Sequence, residues 1–431
     1  MESHSSISIF SIIPFALLLT SIAVFPLFWN HFWEQNKNKL IIALTLSVPT
    51  VIYLFTNNLG DKLFESIAFD YLPFIVLLGS LFTITGGIYL SGDIEAKPTV
   101  NSLFLLTGAG LASFIGTTGA AMLLIRPLLQ TNKERKHKVH TILFFIALVA
   151  NCGGLLTPLG DPPLFMMYLR GASFIWFFNL LPFWLLTNGM LLLVYFFVET
   201  YLHKKESPQA LLLDKENIRP IKVEGKLNFV WLIGIVLSVA FLNEQYLPFI
   251  KLNEYYKFIR EGTIIAMAIL SLLLTPNLTR ASNNFTWEPI KEVAYLFLGI
   301  FITMVPCLLY LEYNAKTLGV TSTSQFYYFT GLLSSFLDNT PTAVTFHSLA
   351  LGLGEVSGNM VAGIPQSLLE AICVAAVFFG SMTYIGNGPN FMVKAVAEEN
   401  NVKMPSFFGY MFKFSLIVLL PIFIIVELLL L

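Results

Sequence analysis

The chain has 431 residues, of which 56% are hydrophobic and only 12% are charged, and its formal net charge is -1. So apolar a composition excludes a soluble globular domain and predicts a polytopic helical membrane protein with the lipid bilayer as its surroundings. The charge balance gives no reason to expect a nucleic-acid partner. The three cysteines are scattered within apolar runs, a pattern that predicts neither a disulfide framework nor a metal cluster.

Membrane-spanning helices are predicted from the length of the apolar runs, because a bilayer core requires about 20 residues per helix. The first run has no basic flank and no small-residue cleavage site, so we interpret it as a retained span and not as a signal peptide. The predicted spans in the first half of the chain are 9–29, 40–56, 71–92 and 173–198. Those in the second half are 227–250, 262–276, 290–311 and 408–431.

Four further apolar segments contain glycine, proline and polar residues in their middle. The segment 101–130 is too long for one upright helix and is interrupted at 116–119, so we predict a re-entrant hairpin of two half-helices. The segment 326–352, interrupted at 338–341, is the second predicted hairpin. The remaining two segments are predicted to be broken helices, at 139–170 and 366–398.

The same order of segments occurs twice, which divides the chain into two units and a connector. Because each unit crosses the membrane five times, the second must be inserted upside down relative to the first, as in inverted-repeat transporters. The predicted fold is an all-α polytopic membrane protein with two inverted repeats, each of five transmembrane helices, one of them broken, and one re-entrant hairpin. The repeats are predicted at 1–200 and 227–431, with a solvent-facing cytoplasmic linker at 201–226.

The distribution of lysine and arginine predicts the orientation of the chain. Cytoplasmic loops collect these residues, and here they concentrate in the loops on one side, including the run at 133–138 and the connector. This predicts both termini outside the cytoplasm, with the first hairpin entering from the cytoplasm and the second from outside. We expect an integral protein of a bacterial inner membrane.

Two aspartates, Asp161 and Asp338, lie in breaks of opposite units. Unwound backbone within a membrane survives only where it is buried in protein or lines a polar cavity, so the four breaks predict a shared cavity. A carboxylate at that depth is by default functional, although each aspartate also suits the cap of a half-helix. Burial disfavours an ionised carboxylate and a bound cation favours it. Both aspartates are therefore predicted to bind Na⁺ in exchange for H⁺.

Hydroxyl and amide side chains in the breaks are predicted to supply neutral oxygen ligands, which hard cations prefer. At the hairpin tips these residues are Thr117, Thr118, Asn339 and Thr340. In the broken helices they are Asn151, Thr157, Thr383 and Asn387, for which structural hydrogen bonding is an equally good interpretation. Glycine and proline are predicted to fix the breaks, and the residues concerned are Gly116, Gly160, Gly386, Pro158, Pro341 and Pro389.

These motifs resemble the ion transporter superfamily, specifically citrate-transporter-like membrane proteins related to D-type sodium/proton antiporters. The resemblance covers nearly the whole chain. It implies a two-repeat fold with two hairpins, a homodimer that works by an elevator motion, and binding of ion and substrate at the hairpin tips and adjoining loops. Its most specific parts are GTTGAAMLLIRP, NCGGLLTPLGDPPLF, SSFLDNTPTAVTF and MTYIGNGPNFMVKA.

The hairpin tips distinguish two branches of that superfamily. Its sodium-coupled dicarboxylate carriers have Ser-Asn-Thr at both tips, whereas this chain has Gly-Thr-Thr at 116–118 and Asp-Asn-Thr at 338–340. The second tip replaces a neutral residue by an anion beside the expected site. Asp338-Asn339, together with Gly160-Asp161, resembles the antiporter pattern instead.

Three functions follow from these patterns. The first is a sodium/proton antiporter, with Na⁺ and H⁺ as transported ions and no resident cofactor. The second is a carrier of citrate or another carboxylate, in which half-helix N-termini and Arg126 meet the substrate and the aspartates bind the coupling cation. The third is an intramembrane aspartyl protease, because two carboxylates that share a proton can hydrolyse peptides. Inverted duplication favours transport over proteolysis.

Overall fold

The computed structural model describes residues 7–354 and 358–431. Within these residues, eight helices are long and apolar enough to cross a membrane. They confirm the prediction of a helical polytopic membrane protein. These helices are Ile9–Phe28, Asn36–Thr56, Gly60–Thr85, Pro98–Ile115, Val139–Leu156, Phe174–His203, Glu288–Leu318 and Phe407–Leu430.

Each half of the chain has three helices before its hairpin and one after its broken helix. In the first half, the hairpin consists of Pro98–Ile115 and Thr117–Thr131, and the broken helix of Val139–Leu148, Cys152–Leu156 and Pro162–Leu169. In the second half, the leading helices are Asn228–Phe241, Phe258–Leu274 and the bent pair Glu288–Thr303 and Val305–Leu318. Its hairpin consists of Thr323–Ser334 and Asn339–Gly352, and its broken helix of Gln366–Phe379, Gly380–Met382 and Gly388–Glu399. The inversion of one half relative to the other stays a prediction.

Both predicted hairpins are interrupted where the sequence places their polar residues. Gly116 separates the two arms of the first hairpin with φ 81° and ψ 147°, a backbone conformation that favours glycine. In the second hairpin, the N–H of Thr340 donates to Asp338 Oδ1 at 3.0 Å, which caps the second arm. Pro341 lies in the first turn of that arm, where a helix does not require an N–H donor.

The two broken helices follow the same local backbone path. In each, a short 3₁₀ turn precedes an extended threonine, with φ −143° at Thr157 and −140° at Thr383. An extended acid or amide then precedes the next helix, with φ −141° at Asp161 and −148° at Asn387. The two breaks share the pattern Thr-x-x-Gly-Asp/Asn-x-Pro, so the likeness between the halves extends from segment order to local geometry.

The broken helices lie in the protein interior, and the flanking helices present apolar side chains outward. Residues 371–378 of the second broken helix are all fully buried. In contrast, Leu44, Leu193 and Ile417 are 45%, 58% and 65% exposed, as expected of surfaces that face lipid. The unwound backbone is thus surrounded by protein, which satisfies the physical condition for irregular chain at membrane depth.

The bounds of two predicted spans illustrate how the structure differs from the sequence prediction. The span predicted at 71–92 runs from Gly60 to Thr85, and residues Tyr89–Asp93 form a strand. Charged residues in 61–70 had shortened the apolar window, but a π-helical turn at Ser66–Tyr71 continues the helix through them. The span predicted at 227–250 ends as an α-helix at Phe241 and continues in short 3₁₀ turns.

The connector is ordered and not an extended linker. It contains the helix Pro208–Glu216 and the strand Arg219–Glu224, which pairs antiparallel with Tyr89–Asp93. A second pair of short strands, Met360–Val361 and Ile364–Pro365, follows the second hairpin. The described part of the chain is therefore mostly helical, with two small two-stranded sheets that the composition did not predict.

Candidate functional site

All four breaks meet at the carboxylate of Asp161, which is only 1% exposed. Its Oδ1 accepts a hydrogen bond from the hydroxyl of Thr117 at 2.7 Å and a longer one from Asn387 Nδ2 at 3.4 Å. Its Oδ2 accepts from Asn339 Nδ2 at 2.8 Å. The three donors come from the first hairpin, the second broken helix and the second hairpin. The structure therefore brings together four predicted site residues that are far apart in sequence.

Hydroxyl and amide donors, and not cations, surround this buried carboxylate. None of the ion pairs within residues 7–354 and 358–431 involves Asp161 or Asp338. A buried carboxylate without a counterion is costly in its ionised form. The arrangement is consequently suited to hold either a proton or a small cation at Asp161.

Asp338 occupies a more open position than Asp161. It is half-buried, and it lies on the wall of a cavity of about 460 Å³. Its Oδ1 caps the second arm of the hairpin, so the capping and cavity-lining interpretations are both correct for this residue. The adjoining Thr340 hydroxyl is buried and makes no well-formed hydrogen bond to the residues that the structure describes.

The cavity reaches from the hairpin tips to the beginnings of two outer helices. Its inner end is lined by Gly116, Thr117, Thr118, Asp338 and Asn387. Its mouth is lined by Glu34, Lys39, Glu288 and Glu292, of which Lys39 and Glu292 form an ion pair of 2.7 Å. Asp161 is not part of the lining, so Thr117 and Asn387 lie between it and the cavity. An ion in the cavity can therefore contact Asp338 directly, whereas Asp161 is occluded from the cavity.

A chain of three side-chain amides joins the two broken helices next to Asp161. Asn387 Nδ2 donates to Asn151 Oδ1 at 3.0 Å, and Asn151 Nδ2 donates to Asn390 Oδ1 at 2.7 Å. Asn390 in turn donates to the carbonyls of Gly380 and Thr383 at 2.8 and 2.9 Å. Sequence reasoning missed Asn390. The signal that could have revealed it is a polar amide in an apolar helix, one turn after the break.

Thr157 and Thr383 fasten the broken helices to the hairpins. The hydroxyl of Thr157 donates to the carbonyl of Ser113, and that of Thr383 donates to the carbonyl of Ser335 at 2.5 Å. For these two threonines the structural interpretation describes the observed contacts. Sequence reasoning also missed the two serines, each of which stands three residues before the break in its hairpin.

The predicted glycines permit close approach of backbone segments. A Cβ at Gly160 would lie 1.9 Å from the carbonyl oxygen of Gly154, and one at Gly386 would lie 2.6 Å from that of Gly380. The Gly160 carbonyl also accepts from the N–H of Thr117 at 2.8 Å, which attaches the first hairpin tip to the break. Pro158 lies within the first break, and Pro389 lies in the first turn of the helix that follows the second.

Arg126 lies away from the site. Its Nη1 donates to the backbone carbonyl of Asn283 at 3.4 Å, on a neighbouring outer segment. Within the described residues, no three side chains of histidine, cysteine, aspartate or glutamate are grouped to hold a resident metal ion. The site thus consists of carboxylates, hydroxyls and amides on interrupted helices.

Comparison with known proteins relates this architecture to a protein family. A family model described as "Putative citrate transport" matches residues 4–431. The inner membrane protein YbiR of Escherichia coli (strain K12) is 32% identical over 112 residues, a match that covers 23% of this chain and 30% of YbiR. The chain thus matches only about 30% of the length of that relative, whereas the family model matches nearly the whole chain. The chain is an integral membrane protein that belongs to this citrate-transport family.

Proposed function

We propose that the chain is a secondary active transporter that exchanges Na⁺ for H⁺ at Asp161 and Asp338 by alternating access. The observation that carries this proposal is the position of Asp161, a buried carboxylate without a counterion at the meeting point of four helix breaks. Membership of a transport family supports the general class, and the local chemistry supports a cation as the exchanged species.

The exchange follows from the two ways in which a buried carboxylate is neutralised. A proton and a bound cation compete for the same carboxylate, because each removes the cost of the negative charge. Asp338 faces the inner end of the cavity, so an entering cation reaches it before it reaches Asp161. Thr117 and Asn387 separate it from Asp161, so a movement of the hairpin tip is needed for the cation to pass inward.

The charge of the cavity also favours a cation over an anion. Its mouth carries Glu34, Glu288 and Glu292. Lys39 forms an ion pair with Glu292, and Lys291, which is not part of the lining, forms one with Glu288, so the cavity carries no excess of positive charge. A cleft whose lining carries charges of one sign raises the local concentration of ions of the opposite sign. A carboxylate substrate would have to pass these acidic side chains, and Asp338, to reach the hairpin tips.

Carriage of citrate or another carboxylate is the second candidate, and the family description favours it. Such a substrate would bind free amides at helix N-termini. Asp338 already accepts from Thr340 N at one of these ends. Pro162 and Pro163, at the start of the helix after Asp161, have no N–H to offer. These features support the antiporter over the carboxylate carrier.

An aspartyl protease receives no support from the contacts of Asp161. Proteolysis of that type requires two carboxylates that share one proton. Both oxygens of Asp161 instead accept from Thr117, Asn387 and Asn339. We further propose an inner-membrane location, which the name of the inner membrane protein YbiR supports. The proposed orientation, with both termini outside the cytoplasm, rests on the distribution of lysine and arginine.

Flux through reconstituted protein tests the proposal. The full chain is placed in liposomes with a pH-sensitive dye in the lumen, and a Na⁺ gradient is imposed. We expect a Na⁺-dependent change of luminal pH for the unchanged protein, and its loss in Asp161→Asn and Asp338→Asn. Asp61→Asn, which removes an exposed carboxylate outside the site, is the matched control and retains the response.

A parallel assay with radiolabelled citrate separates the two candidates. Uptake of citrate without any pH response to Na⁺ or Li⁺ would overturn the antiporter and establish the carboxylate carrier. A pH response that survives in Asp161→Asn, with the variant folded and correctly inserted, would remove Asp161 from the exchange.

A further inference from the structure

In the connector between the two halves, all the lysine and arginine side chains are exposed and two of the acidic side chains are buried. Its acidic residues Glu206 and Asp214 are buried, at 7% and 3% exposed. Glu206 accepts from Arg135 Nε and from the N–H groups of His137 and Lys136. Asp214 Oδ2 accepts from the N–H of Ala96 at 2.9 Å. These contacts attach the connector to the segments on either side of the first hairpin.

The outer side of the same segment is basic and apolar. Its lysines and arginine are all exposed, whereas only Glu216 and Glu224 among its acidic residues are exposed. Large apolar side chains also point outward, with Leu212 60% and Ile221 54% exposed. We call the exposed basic and apolar side chains of this segment the connector face, and its members are Lys204, Lys205, Leu212, Leu213, Lys215, Ile218, Arg219, Ile221, Lys222 and Lys226.

The chain holds the connector face close to the membrane surface. The connector begins at the end of the span Phe174–His203, and the next helix begins at Asn228. Lys205 Nζ lies 4.1 Å from the centre of the Tyr201 ring, and a tyrosine beside a lysine at the end of a span is typical of the headgroup level. The strand pair with Tyr89–Asp93 prevents the connector from extending into solvent.

From the sorted charges and the exposed leucines, we propose that the connector face binds anionic phospholipid headgroups, with Leu212 and Leu213 inserted at the lipid–water boundary. Basic side chains attract an anionic leaflet, and apolar side chains interleaved with them suit the interface. A second copy of this chain fits the face poorly, because two basic surfaces repel each other. The proposal does not depend on the transported species.

A fluorescent label at Leu212 tests the contact. Cys152, Cys307 and Cys373 are buried, so Leu212→Cys introduces an accessible thiol for nitrobenzoxadiazole. The full chain is reconstituted in vesicles of phosphatidylcholine alone or with phosphatidylglycerol. With phosphatidylglycerol we expect blue-shifted emission and several-fold weaker quenching by aqueous iodide, and high salt reverses both. The same label at Asp61→Cys is the control and does not respond to lipid charge.

Charge neutralisation tests the electrostatic part. Replacement of Lys204, Lys205 and Lys215 by glutamine is expected to abolish the response to phosphatidylglycerol, whereas the matched replacement of Lys62, Lys251 and Lys316 leaves it intact. Identical emission and quenching in neutral and anionic vesicles would overturn the proposal. An emission shift that depends on the protein-to-lipid ratio and not on lipid charge would also overturn the proposal. Such a result would indicate that the connector face contacts another copy of the chain.

Discussion

The hydroxyl of Thr117 provides the sharpest single perturbation of the site. It donates to Asp161 Oδ1 at 2.7 Å, and Thr117 itself is 1% exposed. Thr117→Val removes this donor, conserves the shape of the side chain and keeps the N–H bond to the carbonyl of Gly160. The substitution therefore reports on the hydrogen bond and not on the fold of the hairpin tip.

The expected effect follows from the charge of the acceptor. A hydrogen bond to an ionised group contributes about 1.5–3 kcal/mol, which corresponds to about tenfold to hundredfold in an equilibrium constant. The ionised form of Asp161 is the form that binds a cation. Removal of the hydrogen bond destabilises this form, so the dissociation constant for the cation should rise about tenfold to hundredfold. We expect the Na⁺ concentration for half-maximal exchange in Thr117→Val proteoliposomes to rise accordingly.

The matched control is Thr107→Val in the same hairpin. Its hydroxyl donates to the Leu103 carbonyl at 2.8 Å, on an exposed part of the first arm, and it does not contact Asp161. Its half-maximal Na⁺ concentration should equal that of the unchanged protein. If Thr117→Val folds and also leaves this concentration unchanged, the hydrogen bond to Asp161 has no part in cation binding and the reasoning is refuted.

Two further predictions concern stability. Gly160→Ala places a Cβ 1.9 Å from the Gly154 carbonyl oxygen and is expected to lower the yield and Tm of the purified protein, whereas Gly110→Ala, with open space around the new methyl, is not. Burial raises the pKa of the Glu206 carboxyl, but two backbone N–H groups and Arg135 outweigh it and hold that pKa below its usual range. Its stabilisation is present above about pH 4.3 and is lost on further acidification. The Tm difference between the unchanged protein and Glu206→Gln should therefore be largest at neutral pH and should shrink below about pH 4; a difference independent of pH would contradict this.

The interruptions of the helices were predictable because they obey a strong local rule. A glycine, proline or carboxylate inside an apolar run is tolerated at membrane depth only where protein covers the backbone. Gly116 and Pro341 therefore located both hairpin tips, and the glycines and prolines within 139–170 and 366–398 located both broken helices. The helix ends fall within a few residues of the predicted ones in most spans.

The roles of the individual polar residues were less predictable, since they depend on how the breaks pack together. Sequence reasoning treats Asp161 and Asp338 alike, whereas the structure buries the first and opens the second to the cavity. Asn390 was missed because nothing in the sequence shows that its amide faces Asn151 and not a lipid-facing neighbour. Such distinctions are set by tertiary contacts.

The connector illustrates the same limit in a polar segment. Its composition predicts exposure to solvent, and its lysines are exposed. The burial of Glu206 and Asp214 depends on partners about 70 and 118 residues away, at Lys136 and Ala96. The composition of a hydrophilic segment therefore does not show whether that segment packs against the rest of the protein.

The central claim is that a cation and a proton compete for Asp161, and proton release on Na⁺ binding tests it most directly. Na⁺ is titrated into the purified protein by calorimetry at a fixed mildly acidic pH in two buffers of different ionisation enthalpy. We predict that the binding enthalpy differs between the buffers, because Na⁺ displaces a proton, and that Asp161→Asn removes this difference together with the binding. Na⁺ binding with the same enthalpy in both buffers, or binding that persists in Asp161→Asn, would contradict the account.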